Sequence, residues 1–325
     1  MPQPVDRRQF MKIAGTSLGI GALFKVSALA SPESAHIQRL LGKKNGEAPT
    51  PFSFVQLSDT HVGFEGPPNP LGTKAFERAV EMINSLPEAP ELVLFTGDLT
   101  HDSEKPGEHA DRMRLFRKIA GGLRAPLIHY VPGEHDAALD GGALFRDALG
   151  DTSYSFDHRG VHFVALDNVS AGKPRVGPAQ LDWLRKDLAR FPTTAPIVLF
   201  THRPLFDLRP DWEWFTGDGD QVLEAIAPYE NVTVLYGHIH REHVHTEGHA
   251  THYAARSLIF AFPDPAAGVP KKPLPFDSDK PFQNLGVRAV TEASGHPQVH
   301  EVELTLREYS GTVGIQQILK EGESL

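Results

Sequence analysis

The 325-residue chain contains no cysteine, which excludes disulfide bonds, zinc–thiolate sites and thiol nucleophiles. Past its first thirty residues it has no run of the roughly 18 apolar residues that a membrane-crossing helix needs, so no stable membrane span is expected. Positive charge is not in excess either: the formal net charge is −9. The first thirty residues carry Arg7, Arg8, Lys12 and Lys25 against Asp6 alone, which leaves the remainder more acidic still. Such a body repels nucleic-acid backbones. No basic stripe interleaved with aromatics offsets this, and no nucleic acid is expected as a partner. Internal repeats and low-complexity tracts are also missing.

Against these absences stand 17 histidines in a chain of ordinary apolar and charged content. Their positions decide whether they are scattered or gathered for metal binding. At the N-terminus, Asp6-Arg7-Arg8-Gln9-Phe10-Met11-Lys12 looks like a twin-arginine export signal. A mildly apolar stretch from Ile13 to Leu23 and a small-x-small site at Ala28-Leu29-Ala30 complete it. Residues 1–30 are therefore expected to engage the twin-arginine export machinery, giving a periplasmic or otherwise exported protein. Polar residues 31–50 read as a linker.

From Phe52 onward, short apolar runs alternate with stretches of helical spacing. Residues 52–57, 92–96, 127–131, 197–201 and 232–236 read as buried strands, and 73–85 and 109–119 as helices. Residues 154–156 and 161–167 flank Asp157-His158-Arg159-Gly160, a hairpin signal. Pro178 opens an amphipathic helix with Leu181, Leu184 and Leu188 on one face. This alternation predicts an α/β layered domain over 51–263. Residues 264–325 read as a long loop, to about Gly286, followed by strands at 287–290, 299–306 and 312–318 that complete the sandwich edge.

Polar residues recur just past the predicted strand ends: Asp59-Thr60-His61, Gly97-Asp98, Gly133-Glu134-His135-Asp136, Thr201-His202 and Gly237-His238-Ile239-His240. In open α/β sheets that edge is where ligands bind. Each piece alone is weak, since an Asp-x-His is more often a turn cap and a Gly-Asp more often a turn. Together they converge too much charge on one buried edge to be tolerated unless paired or metal-bound. Other candidates are weaker. His243, His245, His249 and His252 read as an exposed loop rather than a second metal site. Trp212, Trp214 and Phe215 read as a substrate wall or as packing. Lys271 and Lys272 read as a solvated turn. Asp218 and Asp220 read as a turn before a helix near Gln221.

The ordered set resembles the calcineurin-like metallophosphoesterase superfamily, which runs D-x-H, G-D, G-N-H-[DE], H and G-H-x-H. The resemblance covers about residues 52–262. Thr96-Gly97-Asp98-Leu99-Thr100, Gln180-Leu181-Asp182-Trp183-Leu184 and Thr201-His202-Arg203-Pro204-Leu205 look like its cyclic-nucleotide and glycerol phosphodiesterase branch. The purple acid phosphatase branch carries a tyrosine where this chain has His101. The resemblance implies a metallo-dependent phosphatase-like fold, a four-layer αββα sandwich of two mixed β-sheets flanked by helices. It implies two metal ions, of Fe, Mn or Zn, and hydrolysis of a small phosphoester, a diester more than a monoester, by a metal-bridging hydroxide. Asp59, His61 and His240 would hold the first ion, His202 and His238 the second, and Asp98 both. His135 would protonate the leaving oxygen. Asp136 would orient or compensate that imidazole, or else cap the following helix.

One position departs from the pattern: Glu134 stands where the superfamily usually has the neutral ligand Asn. Two divalent ions, a bridging hydroxide, Asp59 and Asp98 sum to a single positive charge, which an ionised Glu134 cancels. Glu134 is thus expected to select a more highly charged pair that includes Fe(III), or to mark a shift of substrate or a metal-binding homologue of low turnover.

Overall fold

The computed structural model describes residues 52–86, 89–137, 139–293 and 296–303. The export signal expected over 1–30, the linker over 31–50 and the strand over 312–318 lie outside the described residues. In chain order the elements are β1 (Phe52–Leu57), α1 (Gly72–Asn84), β2 (Leu92–Thr96), α2 (Glu108–Ala120), β3 (Leu127–Val131), α3 (Glu134–Ala137), α4 (Ala143–Leu149), β4 (Tyr154–His158) and β5 (Val161–Ala165). There follow α5 (Pro178–Leu188), β6 (Pro196–Phe200), α6 (Gly219–Ile226), β7 (Asn231–Tyr236), β8 (His243–Glu247), β9 (Ala250–Ala254), β10 (Gly286–Ala293) and β11 (His296–Glu303). Among the described residues no helix is long and apolar enough to cross a membrane.

The strands form two mixed sheets, ordered β11-β10-β1-β2-β3 and β4-β5-β6-β7-β9-β8. Side-chain alternation along each strand assigns the layers. Phe52, Phe54, Leu92 and Leu94 of the first sheet meet Phe163, Ala165, Val198, Phe200 and Leu235 of the second in one core between the sheets. Phe54 and Phe163 pack edge to face at 5.8 Å. The alternate residues Val55, Leu57, Val93 and Phe95 face the other way, against Phe76 and Ala79 of α1 and Met113 and Phe116 of α2. On the far side, Ile197, Leu199, Val232 and Val234 meet Leu181, Leu184 and Leu188 of α5 and Val222 and Ile226 of α6. The result is a helix–sheet–sheet–helix stack. Each fully buried aliphatic or Phe side chain contributes roughly 1.5–3 kcal/mol to it.

Within each sheet the strands that precede the candidate residues run parallel, β1 with β2 and β3, and β5 with β6 and β7. Their C-terminal ends therefore open at a common edge. The stretch after Phe262 is irregular apart from one 3₁₀ turn at Pro265–Ala267, and β10 then returns antiparallel to β1. The short helix α3 had no clear signal in the sequence, while α4 is the helix expected after Asp136.

The His-rich stretch after Arg241 is not the loop that its polarity predicts. It is the β8–β9 hairpin, turned at Gly248 with φ 59°, and β9 lies parallel to β7. The period-two signal was hidden because β9 buries Ala250, His252 and Ala254 rather than large apolar residues. His252 is fully buried, and neither ring nitrogen has a hydrogen-bond partner. Burial, aided by His245 and His243, pulls its pKa down to about 4. A lowered histidine pKa means that the unfolded chain takes up the proton first. Stability from this residue is full above the ordinary value of 6.5 and is lost as pH falls from there toward 4. The His252→Leu variant should therefore show a shallower loss of urea stability between pH 6.5 and 4 than the parent. Identical acid limbs would refute this.

Candidate metal centre

Five loops at the C-terminal edge bring the predicted residues together. Asp59, His61, Asp98 and His240 offer donor atoms within 4.8 Å of one another, and so do Asp98, Glu134, His202 and His238. Asp98 belongs to both groups. Its Oδ2 lies 3.4 Å from Nε2 of His61 and 3.4 Å from Nε2 of His202. Oδ1 of Asp59 is 3.3 Å from Nε2 of His240. Glu134 reaches His238 Nδ1 through Oε1 and His202 Nε2 through Oε2, each at 2.8 Å. Two ligands bound at 2.0–2.2 Å and near right angles would stand about 3 Å apart, so these separations suit shared cations.

Proton bookkeeping supports the same reading. His202 Nδ1 lies 2.7 Å from the Thr96 carbonyl, His240 Nδ1 2.9 Å from that of Phe260, and His238 Nε2 3.1 Å from that of Glu213. A carbonyl only accepts, so each of those nitrogens carries a proton, and in the neutral ring the other presents its lone pair to the cluster. His202 Nε2 and Glu134 Oε2 face each other without an aligned hydrogen bond. With a lone pair on each, the two atoms would repel, so a proton or a cation must lie between them. The donors present therefore fit a pair of metal ions, and their mixture of imidazole and carboxylate suits first-row transition metals.

The backbone is bent to make this possible. Asp59, His61, Asp98, His238 and His240 all have positive φ, between 41° and 65°. Such conformations cost on the order of 1 kcal/mol or more each in non-glycine residues. Neighbouring loops hold them by bonding to one another: Asp59 N–H to Gly97 O, His61 N–H to Asp98 O, Gly237 N–H to His202 O. Two glycines permit the crowding. A Cβ on Gly133 would lie 2.1 Å from Oδ1 of Asp98, and one on Gly237 would lie 1.9 Å from Oγ of Ser58.

His135 stands beside the pair, its ring 4.8 Å from that of His61 and stacked on His101 at 4.6 Å. The partner of its Nδ1 is Asp102, not Asp136. Burial opposes charge on His135, but Asp98, Asp102 and Glu134 outweigh it and lift its pKa to about 9. The hydrogen bond from His135 lowers Asp102 to about 2, against a smaller opposing effect of burial. Sequence reasoning missed Asp102; its only signal is its place four residues after Asp98, and its loop is set by Arg112, which donates to the carbonyls of His101 and Asp102. Asp136 is fully buried and accepts N–H groups from Leu99, Thr100 and Gly133 and the Thr100 hydroxyl. It thus ties the Asp98 loop to the Glu134 loop.

Of the weaker candidates, Trp212 and Trp214 are buried against Tyr236, Ile239 and Ala254 and form packing, not a wall. Lys271 is not a free turn residue: its ammonium donates to the Trp212 carbonyl at 2.7 Å. Lys272 is exposed. Asp218 accepts N–H groups from Val176 and Gly177, pinning the start of α5.

Residues 52–242 match the family described as calcineurin-like phosphoesterase. The chain belongs to that family. It is accordingly a metal-dependent phosphoric ester hydrolase of a family that uses dinuclear metal sites, and the two clusters are groups that could hold such ions. This phosphoesterase is 32% identical over 215 residues to a probable cyclic nucleotide phosphodiesterase of Rhodopseudomonas palustris, covering 58% of this chain and 72% of that protein. It is 28% identical over 201 residues to a probable glycerophosphodiester phosphodiesterase of Arcobacter nitrofigilis, covering 58% and 71%. Among solved structures, a dimetal phosphatase from Danio rerio matches with a TM-score of 0.54 at 14% identity, over 80% of this chain and all of that one.

The Asp136→Ala variant of the phosphoesterase should lose at least about 2 kcal/mol of stability, because several backbone donors become unsatisfied. Bound metal should fall below that of the parent when both are measured by elemental analysis. Full stability with unchanged metal content would show that the Asp98 loop holds without this carboxylate.

Proposed function

We propose that the protein is an exported, dinuclear-metal phosphodiesterase acting on a small phosphoester in the periplasm, with Fe, Mn or Zn as its ions. The observation that carries the reading is Asp98, shared by two donor clusters, with His135 at their side. Two cations bound there would draw in the phosphate and lower the pKa of a water between them. The remaining work falls to the chain's own side chains. Asp102 accepts a hydrogen bond from His135 Nδ1–H, so in the protonated ring Nε2–H is the group that can donate to the leaving oxygen. The hydrogen bond with Asp102 works against burial to favour the protonated ring that this donation needs. Asp136 and the paired loop hydrogen bonds keep Asp98 in place while charge shifts around it.

The diester preference rests on the phosphodiesterases among its relatives. A monoester reading is supported by a relative described as a serine/threonine-protein phosphatase in Danio rerio, 27% identical over 222 residues. Export rests on the paired-arginine signal of residues 1–30. Paired chromogenic assays with bis- and mono-nitrophenyl phosphate, with Mn, Fe or Zn added, decide between the two esters. Faster turnover of the bis-ester is expected; faster turnover of the mono-ester overturns the diester reading.

The role of His135 makes a separate prediction. General-acid assistance matters most for poor leaving groups. Asp102→Asn should slow cleavage of an alkyl phosphodiester about tenfold or more, while a nitrophenyl ester loses far less. Equal losses on both esters would exclude proton donation by this pair.

A further inference from the structure

The donor set brings three carboxylates, Asp59, Asp98 and Glu134, to two cation positions. Two divalent ions and an attacking hydroxide would then leave a neutral pocket, with little attraction for a phosphate anion. A trivalent ion is one way to restore positive charge. The structure contains another. Nη2 of Arg203 lies 3.3 Å from Oε1 of Glu134, and the side chain is only 8% exposed. Its Nη1 donates to the Glu213 carbonyl at 2.8 Å, the same oxygen that receives His238 Nε2–H. Its backbone N–H donates to Asn168 Oδ1, and the Asn168 amide donates back to the Arg203 carbonyl. Glu134 and the Glu213 carbonyl thus hold two of the guanidinium nitrogens, while Asn168 fixes the main chain of the same residue.

We propose that Arg203 is the built-in counter-charge of Glu134, a specificity-determining residue that keeps the centre attractive to phosphate anions with divalent ions alone. The proposal rests on the dinuclear reading above. Arg203 does not ligate metal; it offsets the third carboxylate, so its loss weakens anions, not cations. Two opposite charges removed together should leave the field as it was.

The test uses the full protein loaded with Zn(II), which cannot become trivalent, and its Arg203→Gln, Arg203→Lys, Glu134→Gln and Arg203→Gln/Glu134→Gln variants. Elemental analysis gives the zinc content, and calorimetric titration gives the affinity for inorganic phosphate. Arg203→Gln should bind phosphate about tenfold more weakly with zinc content intact, as expected for one charge at short range in a partly screened site. Arg203→Lys should stay close to the parent, and the double variant should recover most of the loss. The proposal is overturned if Arg203→Gln matches the parent, if Lys is as poor as Gln, or if a double variant with the parent's zinc content is as weak as Arg203→Gln. A parent that holds fewer than two zinc ions per chain overturns the dinuclear reading, and this proposal with it. A parent that holds two while phosphate ignores Arg203 overturns the counter-charge alone.

Discussion

Oδ2 of Asp98 stands 3.4 Å from an imidazole nitrogen on each side, His61 from the loop after β1 and His202 from the loop after β6. Those loops come from different sheets, so the carboxylate is shared only if the sheets are packed in a fixed relation. The layer between them supplies that relation: Phe54, Leu94, Phe200 and Leu235 lie in the strands that feed these loops. A shift between the sheets would separate the two halves of the site long before it unfolded either. This places the strain where packing can resist it, since the candidate ligands with positive φ follow directly on fully buried strand ends.

Much of this was legible in the sequence because strands and ligands follow simple periodicities. Apolar runs that end in Asp, Gly or His locate the parallel strands and their functional edge, and Asp59, His61, Asp98, Glu134, His202, His238 and His240 lie where those runs stop. What the sequence concealed is of a different kind. Asp102 and Asp136 are both acidic residues near His135, and only the fold decides that the distant one touches the imidazole while the adjacent one turns inward to backbone donors. The β8–β9 hairpin was hidden by its composition, since a buried strand face made of Ala and His carries no hydrophobic alternation. Arg203 sits beside His202 in the sequence, yet its pairing with Glu134 depends on two loops meeting.

Three of the imidazoles are oriented by main-chain carbonyls, of Thr96, Glu213 and Phe260. His61 differs, with its Nδ1 facing Nδ1 of His101 at 3.3 Å. A carbonyl fixes the tautomer whatever the pH, and its position is fixed by the fold rather than by a rotamer. Glu213 shows how far this goes. It has φ 60°, and its single carbonyl receives both His238 and Arg203, so one bent residue sets a lone pair toward the metal cluster and a positive charge against Glu134.

The family match ends at residue 242, but the site does not. His240 takes its orientation from the carbonyl of Phe260. Leu258 N–H reaches back to the carbonyls of Ser58 and Asp59 at 3.2 Å, bracing the residue that faces His240. That segment is itself held to the sheet, because Gly286 at the start of β10 donates to the Ser257 carbonyl and β10 pairs with β1 along five residues from Phe52 to Gln56. The region after Phe262 is therefore not an appendage to a finished domain. It returns the chain to the strand that begins the site, and through Ser257 it braces the segment that orients His240.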